Sequence, residues 1–545
     1  MTSPPPPDRV SSASAFKATI AVTAIILVSQ ALGVFRESAM AAVFGAGQIT
    51  DAYFVALMIP NILAVVLAGG VQTVGTSLLG EYVYQPQKRT DLGDVVWSLF
   101  HMVLVFVSGL ALLQVLLVPL CLDWIAPGFN AEQLALARRL SVVLAFIVVF
   151  IGLGGWCQSV LQIFQRFTPT ALSHIYFNAV LIAAIFVSRT GGGIITVSAG
   201  MLIAQAVMFG SQIPATIRSL PPYRPVLKWS HPAVRNMAAQ MIPVGLRMAV
   251  QMVNAIVERF LASRLVAGSI SALEYANRTF QLPISAFGNT VVTVLYSAMT
   301  ALRASGDGER FQRAFVRGLR MLAFIFIPIT VGLIVFRMEI IRLLFERGAF
   351  DRQASDLTAT ALTFYSLGLL FTVWRSHTIQ ALAALEDFMT PLWATLVSLL
   401  ANMLFNVWLV RYLQHGGIAL GKTLGEAVWF LILYRQMRIR LGPLGGLEIL
   451  RASIRISLAA GVAGLAADAI RKTSAWSGIE PVLIQTAGRL PGSAAAQAVT
   501  LISLGCLYLG IFLACCAVLR TPELRETLDL TRNAMGSGRA ESPRI

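Results

Sequence analysis

Residues Ala46–Thr50 read AGQIT, and the same register returns at Ala267–Ser271 as AGSIS, 221 positions later (267 − 46). Two more pairs keep that spacing. Gly128-Phe129 and Ala349-Phe350 are 221 apart, and Thr168-Pro169 and Thr390-Pro391 are 222 apart. One such match carries no weight, but three within one residue of the same spacing mark an internal repeat.

Outward from the first copy, apolar runs near the length of a membrane span alternate with short polar breaks. They lie near 18–35, 52–79, 95–120, 140–163, 170–188, 193–213, 237–262, 281–302, 318–336, 359–384, 391–411, 417–436, 452–470 and 497–519. That predicts about fourteen spans. Each copy of the repeat holds six of them, and the last two lie outside it. Six is even, so the second copy enters the membrane in the same orientation as the first. The pattern therefore predicts an all-α polytopic membrane protein: two six-helix lobes related as parallel repeats, a site at their interface, and a C-terminal helix pair. The boundaries follow: a disordered tail over 1–17, lobes over 18–228 and 229–448, an extra two-helix unit over 449–520, and a second tail over 521–545.

Composition agrees. Of 545 residues, 57% are hydrophobic and 12% charged, with a mean hydropathy of +0.74. A soluble domain carries about twice that charged fraction. The net charge of +16 would point to nucleic acid in a soluble chain, but no basic patch is interleaved with aromatics, so no nucleic-acid partner is expected. The cations sit in short breaks between spans instead. Lys88, Arg89, Arg218, Arg224, Lys228, Arg235, Arg303, Arg310, Arg313, Arg317, Arg320, Arg435, Arg438, Arg440, Arg451 and Arg455 fall on one side, with both tails. Positive-inside bias makes that side, and both termini, cytoplasmic. A signal peptide is the alternative for the first run, since Ala39-Met40-Ala41 resembles a cleavage site; Arg36 and Glu37 intervene, which favours a span. The five cysteines lie in or beside apolar runs, without metal or disulfide spacing, and read as packing residues.

Charged groups inside spans are costly and mark function by default. Arg247, Gln251, Asn254 and Glu258 are spaced by four, three and four, which puts them on one helical face as a candidate wall of a wet cavity; a buried polar network between helices is the alternative. Arg36 ends the first span and Arg278 stands at the matching place in the second copy. Guanidinium groups at such a pair suit a diphosphate, whereas pairing with Glu37 and Glu274 would make them structural. Asp51 opens the second span. Arg375 and His377 interrupt the tenth; His377 reads as a satisfied polar residue rather than a proton relay. Lys422 and Glu426 read as an i,i+4 pair. Gly416–Thr423, GGIALGKT, satisfies the phosphate-loop pattern, but it opens an apolar span rather than following a buried strand, so no ATP site is expected. No catalytic motif or ligand-spaced His/Cys cluster occurs. The chain reads as a transporter, not an enzyme, with no cofactor and with an ion gradient or membrane potential as the drive.

Phe44-Gly45-Ala46-Gly47, Thr50-Asp51-Ala52-Tyr53-Phe54 and Pro60-Asn61 resemble the opening signature of the MurJ/MviN family. Ala126-Pro127-Gly128-Phe129, Gln165-Arg166-Phe167 and Leu344-Phe345-Glu346-Arg347-Gly348-Ala349-Phe350 resemble further motifs of it, over residues 20 to 440. The resemblance implies membership of the multidrug/oligosaccharidyl-lipid/polysaccharide exporter superfamily. It also implies the activity: alternating-access flipping of lipid II, the undecaprenyl-diphosphate-linked peptidoglycan precursor, across the bacterial inner membrane. With it come a cationic cavity for diphosphate and sugar, a groove near the last two spans for the lipid tail, membrane lipids as surroundings, and a monomeric transporter. By resemblance Arg36, Asp51 and Arg278 match family positions, with Asn277 where an aspartate is common and Glu37 in place of another. Gln30, Ala64 and Val65 stand where the family has arginines, and Gly69 where it has a glutamate. Arg247, Arg259 and Arg375 are the cations that could compensate. A flippase for exopolysaccharide repeat units, a cation-coupled drug exporter of the same superfamily, and a non-transporting scaffold are the competing readings.

Overall fold

The computed structural model describes residues 12–387, 389–473 and 493–525, with the side chains of 12–21, 64–66, 68, 242–251 and 493–496 outside the described set. No strand occurs among the described residues. The first stretch holds α1 (Ser12–Phe44), α2 (Gln48–Tyr84), α3 (Leu92–Ile125), α4 (Ala131–Ala145), α5 (Ile147–Ile163), α6 (Thr168–Val187), α7 (Gly193–Ile217) and α8 (Pro232–Ala262). It continues with α9 (Ser269–Pro283), α10 (Asn289–Ala304), α11 (Gly308–Val335), α12 (Arg337–Leu344), α13 (Arg352–Ser366) and α14 (Leu369–Ala384). Then follow α15 (Met389–Leu413), α16 (His415–Leu441), α17 (Gly446–Arg471) and, last, α18 (Ser493–Val518).

Among the described residues, 11 helical stretches are long and apolar enough to cross a membrane, and α13 with α14, bent by 43°, raises the number to 12. The expected count of about fourteen is not reached among these residues, because α2 and α8 each carry positions outside the described set. The other two expected spans fall on α2, where Gln48–Leu63 forms a shorter apolar stretch, and on α8, which carries Arg235, Arg247, Glu258 and Arg259. Two spans also begin earlier than hydropathy alone predicts. Asn130 caps α4 by accepting the Gln133 amide at 2.8 Å, while the Gln133 side chain accepts the Asn130 amide at 3.1 Å, a reciprocal cap that starts the helix ahead of the apolar run. Here Arg138 pairs with Asp123 at 2.7 Å, so charge is tolerated at the helix end. The eighth span starts at Ser269 and runs through Pro283, where the missing amide is followed by a single π turn at Ile284–Gly288.

Packing divides the chain into two compact units, Met1–Ser271 with Phe345–Ala354 and Ala272–Leu344 with Ser355–Ile545. The expected boundary at 228/229 follows the sequence repeat, whereas this one follows contacts: α8 packs on α2 and α3 and so joins the first unit. The glycines of two family motifs hold that unit together backbone to backbone. Gly45 and Gly348 take positive φ (67° and 60°), and a side chain at either would run into the Ala349 or Ala42 carbonyl. The Ala349 amide donates to the Ala42 carbonyl at 2.9 Å.

In the second unit, α15 and α16 make the most intimate helix pair. Gly417, Gly421 and Gly425, one per turn, face Leu409, Asn406 and Asn402, the small-residue packing that lets membrane helices approach closely. The glycines of the phosphate-loop look-alike are thus packing residues. The terminal helices α17 and α18 lie against α11: Gly464 packs on Val331 and Val335, and the Tyr508 hydroxyl donates to the Pro328 carbonyl at 2.9 Å.

Candidate functional site

Arg36 lies near the end of α1 with its side chain 19% exposed. Its guanidinium donates to Glu37 Oε1, from Nη2 at 2.5 Å and Nε at 3.1 Å, and from Nη1 to Asn178 Oδ1 at 2.9 Å. The Phe177 ring sits 5.4 Å below it. Asn178 is itself fixed, donating to the Ser29 and His174 carbonyls at 3.2 and 3.0 Å. Sequence reasoning missed this α6 support. The signal was present, an asparagine among the few polar residues of an apolar span, with Ser173 and His174.

Asp51 is 3% exposed and its carboxylate is committed. Oδ2 accepts the Gly268 amide at 2.7 Å, Oδ1 accepts the Ser271 amide at 2.8 Å, and the Ser271 hydroxyl also donates to Oδ1. All three donors stand at the N-terminal end of α9, where unsatisfied amides and the helix dipole favour an anion. A carboxylate spent in this way has little left for a substrate, so the substrate-binding role expected of Asp51 gives way to capping α9 from α2. The repeat explains its address: Ala46–Thr50 and Ala267–Ser271 are equivalent loops, and Asp51 joins one to the other.

In the second unit Arg278 pairs with Glu274 one turn earlier, Nε to Oε1 at 3.3 Å. The expected Lys422–Glu426 pair does not form. Lys422 donates instead to Asn277 Oδ1 at 2.9 Å and lies 5.2 Å over the Tyr365 ring, while Glu426 accepts Arg375 Nε at 2.6 Å. Arg375 also rests on the Trp429 ring at 4.2 Å. A neighbouring helix thus supplies a better partner than the same helix, because guanidinium and carboxylate meet across α14 and α16 with side chains only 20% and 17% exposed. Arg375, Lys422 and Glu426 line a cavity of about 200 Å³ together with Gln281 of α9 and Gly288 of the π turn. Lys422 is a cation at this cavity that sequence reasoning had set aside as neutralised.

The polar stripe of α8 is described in part. Asn254 donates to Glu258 Oε1 at 3.1 Å and both are half-buried; the side chains of Arg247 and Gln251 lie outside the described residues. His377 is fully buried, stacked on Phe315 at 5.2 Å and bonded through Nε2 to the Phe315 carbonyl at 3.2 Å. It is a packed core residue, but the expected satisfied polar residue is satisfied only through Nε2: Nδ1 has no partner among the described residues. A second cavity, of about 530 Å³, opens in the first unit between α1, α2, α5 and α6, lined by Gln30, Gln72, Gln158, Gln162, Arg166 and His174. Among the described residues, no group of three or more His, Cys, Asp or Glu could hold a metal.

Apolar helices in two packed units, with polar cavities let into each, define a multi-pass membrane protein of the transporter class. The family model described as "Lipid II flippase MurJ" matches residues 40–484; the chain belongs to this family. A probable lipid II flippase MurJ of Buchnera aphidicola is 28% identical over 431 residues, 77% of this chain and 83% of its own. The lipid II flippase MurJ of Burkholderia cenocepacia is 26% identical over 438 residues, 78% and 84% of the two chains. Among solved structures, a lipid II flippase MurJ in an inward closed conformation shares the fold, with a TM-score of 0.74 at 24% identity over 92% of this chain and 99% of that one. An inward-facing multidrug resistance MATE family transporter shares it more distantly, with a TM-score of 0.63 at 15% identity.

Proposed function

We propose that this chain flips lipid II across the bacterial inner membrane by alternating access, with Arg36 and Arg278 gripping the diphosphate. The observations that carry this are that both guanidiniums stand at family arginine positions, both are partly exposed, and each is paired with a neighbouring carboxylate, Glu37 or Glu274. An ion pair of that kind orients the planar fork, the side-chain group best matched to a polyanion. Arg375 and Lys422 add cationic character in the second unit, with Arg247, Gln251, Asn254 and Glu258 as further cavity groups. Asp51 shapes the helix ends around the site.

Both termini lie in the cytoplasm in this reading, the transporter works as a monomer, and an ion gradient or the membrane potential drives it without a cofactor. The experiment is complementation of a strain depleted of its own lipid II flippase, with membrane levels checked by blotting. Growth and normal cell shape support lipid II as cargo. Lysis with normal levels in the membrane rejects it. Reporter fusions at Ser12 and Ser537, the latter outside the described residues, should both report the cytoplasm.

A further inference from the structure

The glutamines of the first unit fall into two kinds. Gln114 and Gln212 are buried and point back along their own helices, each donating to the carbonyl four residues back, Leu110 at 3.5 Å and Met208 at 3.1 Å; Gln212 also donates to the Ser173 hydroxyl at 3.3 Å, and neither Oε1 has a partner among the described residues. These are structural. Gln30, Gln72, Gln158 and Gln162 instead converge on the cavity of about 530 Å³ from three helices, α1, α2 and α5. Gln72 donates to Gln162 Oε1 at 3.1 Å. Among the described residues Gln30 and Gln158 have no hydrogen-bond partner.

Polar side chains within spans are expensive and normally find a partner. Four amides from three helices line one cavity, and two of them make no hydrogen bond among the described residues, so both keep donors and an acceptor for a guest. A primary amide offers two donors and an acceptor. That set complements hydroxyls, acetamido groups and peptide bonds, which both donate and accept. It suits a diphosphate poorly, since a diphosphate only accepts and is better held by guanidinium. The one formal cation on the wall is Arg166, and the volume falls in the range that encloses a small neutral ligand.

We propose that this cavity is the subsite for the neutral part of the cargo headgroup, binding N-acylated sugar and peptide groups through the amides of Gln30, Gln72, Gln158 and Gln162, apart from the diphosphate. The proposal rests on the reading of the cargo as a lipid-linked diphosphate saccharide. Gln30 then has a reason to stand where the family resemblance places an arginine: the position exchanges charge for a reader of amides and hydroxyls.

The test uses the full chain in lipid nanodiscs and two probes, lipid II and undecaprenyl diphosphate, which differ by the saccharide–peptide part. The readout is the ratio of their dissociation constants. The wild-type chain prefers lipid II. Gln30→Leu with Gln158→Leu lowers that preference about five- to tenfold, by lost hydrogen bonds, and leaves undecaprenyl diphosphate binding unchanged. Gln30→Asn with Gln158→Asn keeps the amides but pulls them back, giving a smaller loss in a cavity whose polarity is preserved. An unchanged preference in both variants overturns the subsite, as does an equal loss for both probes or a wild-type chain with no preference. A wild-type chain that binds neither probe and flips no lipid II is a different result; it removes the functional reading itself.

Discussion

The two cavities solve the same problem with different chemistry. That of the first unit is walled by four glutamines and carries one formal cation, Arg166. That of the second is smaller and holds Arg375, Lys422 and Glu426, with the arginine and glutamate locked together at 2.6 Å. The halves repeat at a spacing of about 221 residues, yet the cavities open between different helices: α1, α2, α5 and α6 in the first unit, and α9, α14 and α16, the counterparts of α2, α5 and α7, in the second. A repeat duplicates helices and loops. It does not preserve which wall reads charge and which reads hydrogen bonds. Arg36 stands outside the glutamine-walled cavity, held by Glu37 and by Asn178 of α6, whereas Arg278 shares its unit with the cavity that carries Arg375 and Lys422.

The largest expected effects test that asymmetry. Arg36→Ala and Arg278→Ala should each weaken lipid II binding by about 2–5 kcal/mol, roughly 30-fold to several thousand-fold, with Arg36→Ala the worse of the two. Lysine keeps the charge and loses the fork, so Arg36→Lys should recover only part. Titration of nanodisc-embedded variants with lipid II measures this, and equal losses at the two positions would break the comparison. Next in size is Arg375→Ala. It strands the mostly buried Glu426 carboxylate and should lower stability by about 1–3 kcal/mol. Arg375→Ala with Glu426→Gln should recover much of that, since no unpaired charge remains. Thermal unfolding of the single and double variants decides it; a double variant no more stable than the single would sink the pairing as a source of stability.

Sequence made the helices, the repeat and the terminal pair legible, because span length and hydropathy are local properties. Partners across helices are not local. Lys422 and Glu426 sit four apart on α16, and nothing in that spacing reveals that Arg375 of α14 takes the glutamate and Asn277 of α9 the lysine. Asp51 teaches the same lesson in a harder form. Its acidity inside a span marked it for substrate, and only packing shows that its carboxylate meets the Gly268 and Ser271 amides. Asp51→Ala should therefore cost about 1–2 kcal/mol of stability as a lost helix cap, with lipid II affinity in the folded fraction near wild type. A lipid II affinity lost without any drop in melting temperature would return Asp51 to the binding site.

The smallest expected effect concerns a charge outside the spans. Asp387, in the link between α14 and α15, pairs with Arg440 at 2.6 Å across the second unit and accepts the Thr390 amide at 3.0 Å together with the Thr390 hydroxyl. Burial pushes its carboxyl up, but the Thr390 hydrogen bonds and the Arg440 guanidinium outweigh that and hold it below the ordinary carboxylate range. A carboxyl with a depressed pKa in the fold stabilises the protein in its charged form. The contribution is present above the ordinary aspartate value of about 4 and is lost as pH falls through the lower folded value. With Arg440 43% exposed, solvent screening keeps it to about 0.2–1 kcal/mol. Melting temperatures of wild type and Asp387→Asn, followed from pH 7 down to pH 3, should differ at the upper end and converge below about pH 4. In Asp387→Asn the loop keeps Glu386, and the charged pairs inside the units stay in place, so the residual acid sensitivity of that variant belongs to other carboxylates. Parallel curves over the whole range would mean that Asp387 and Arg440 meet in the structure without contributing to stability.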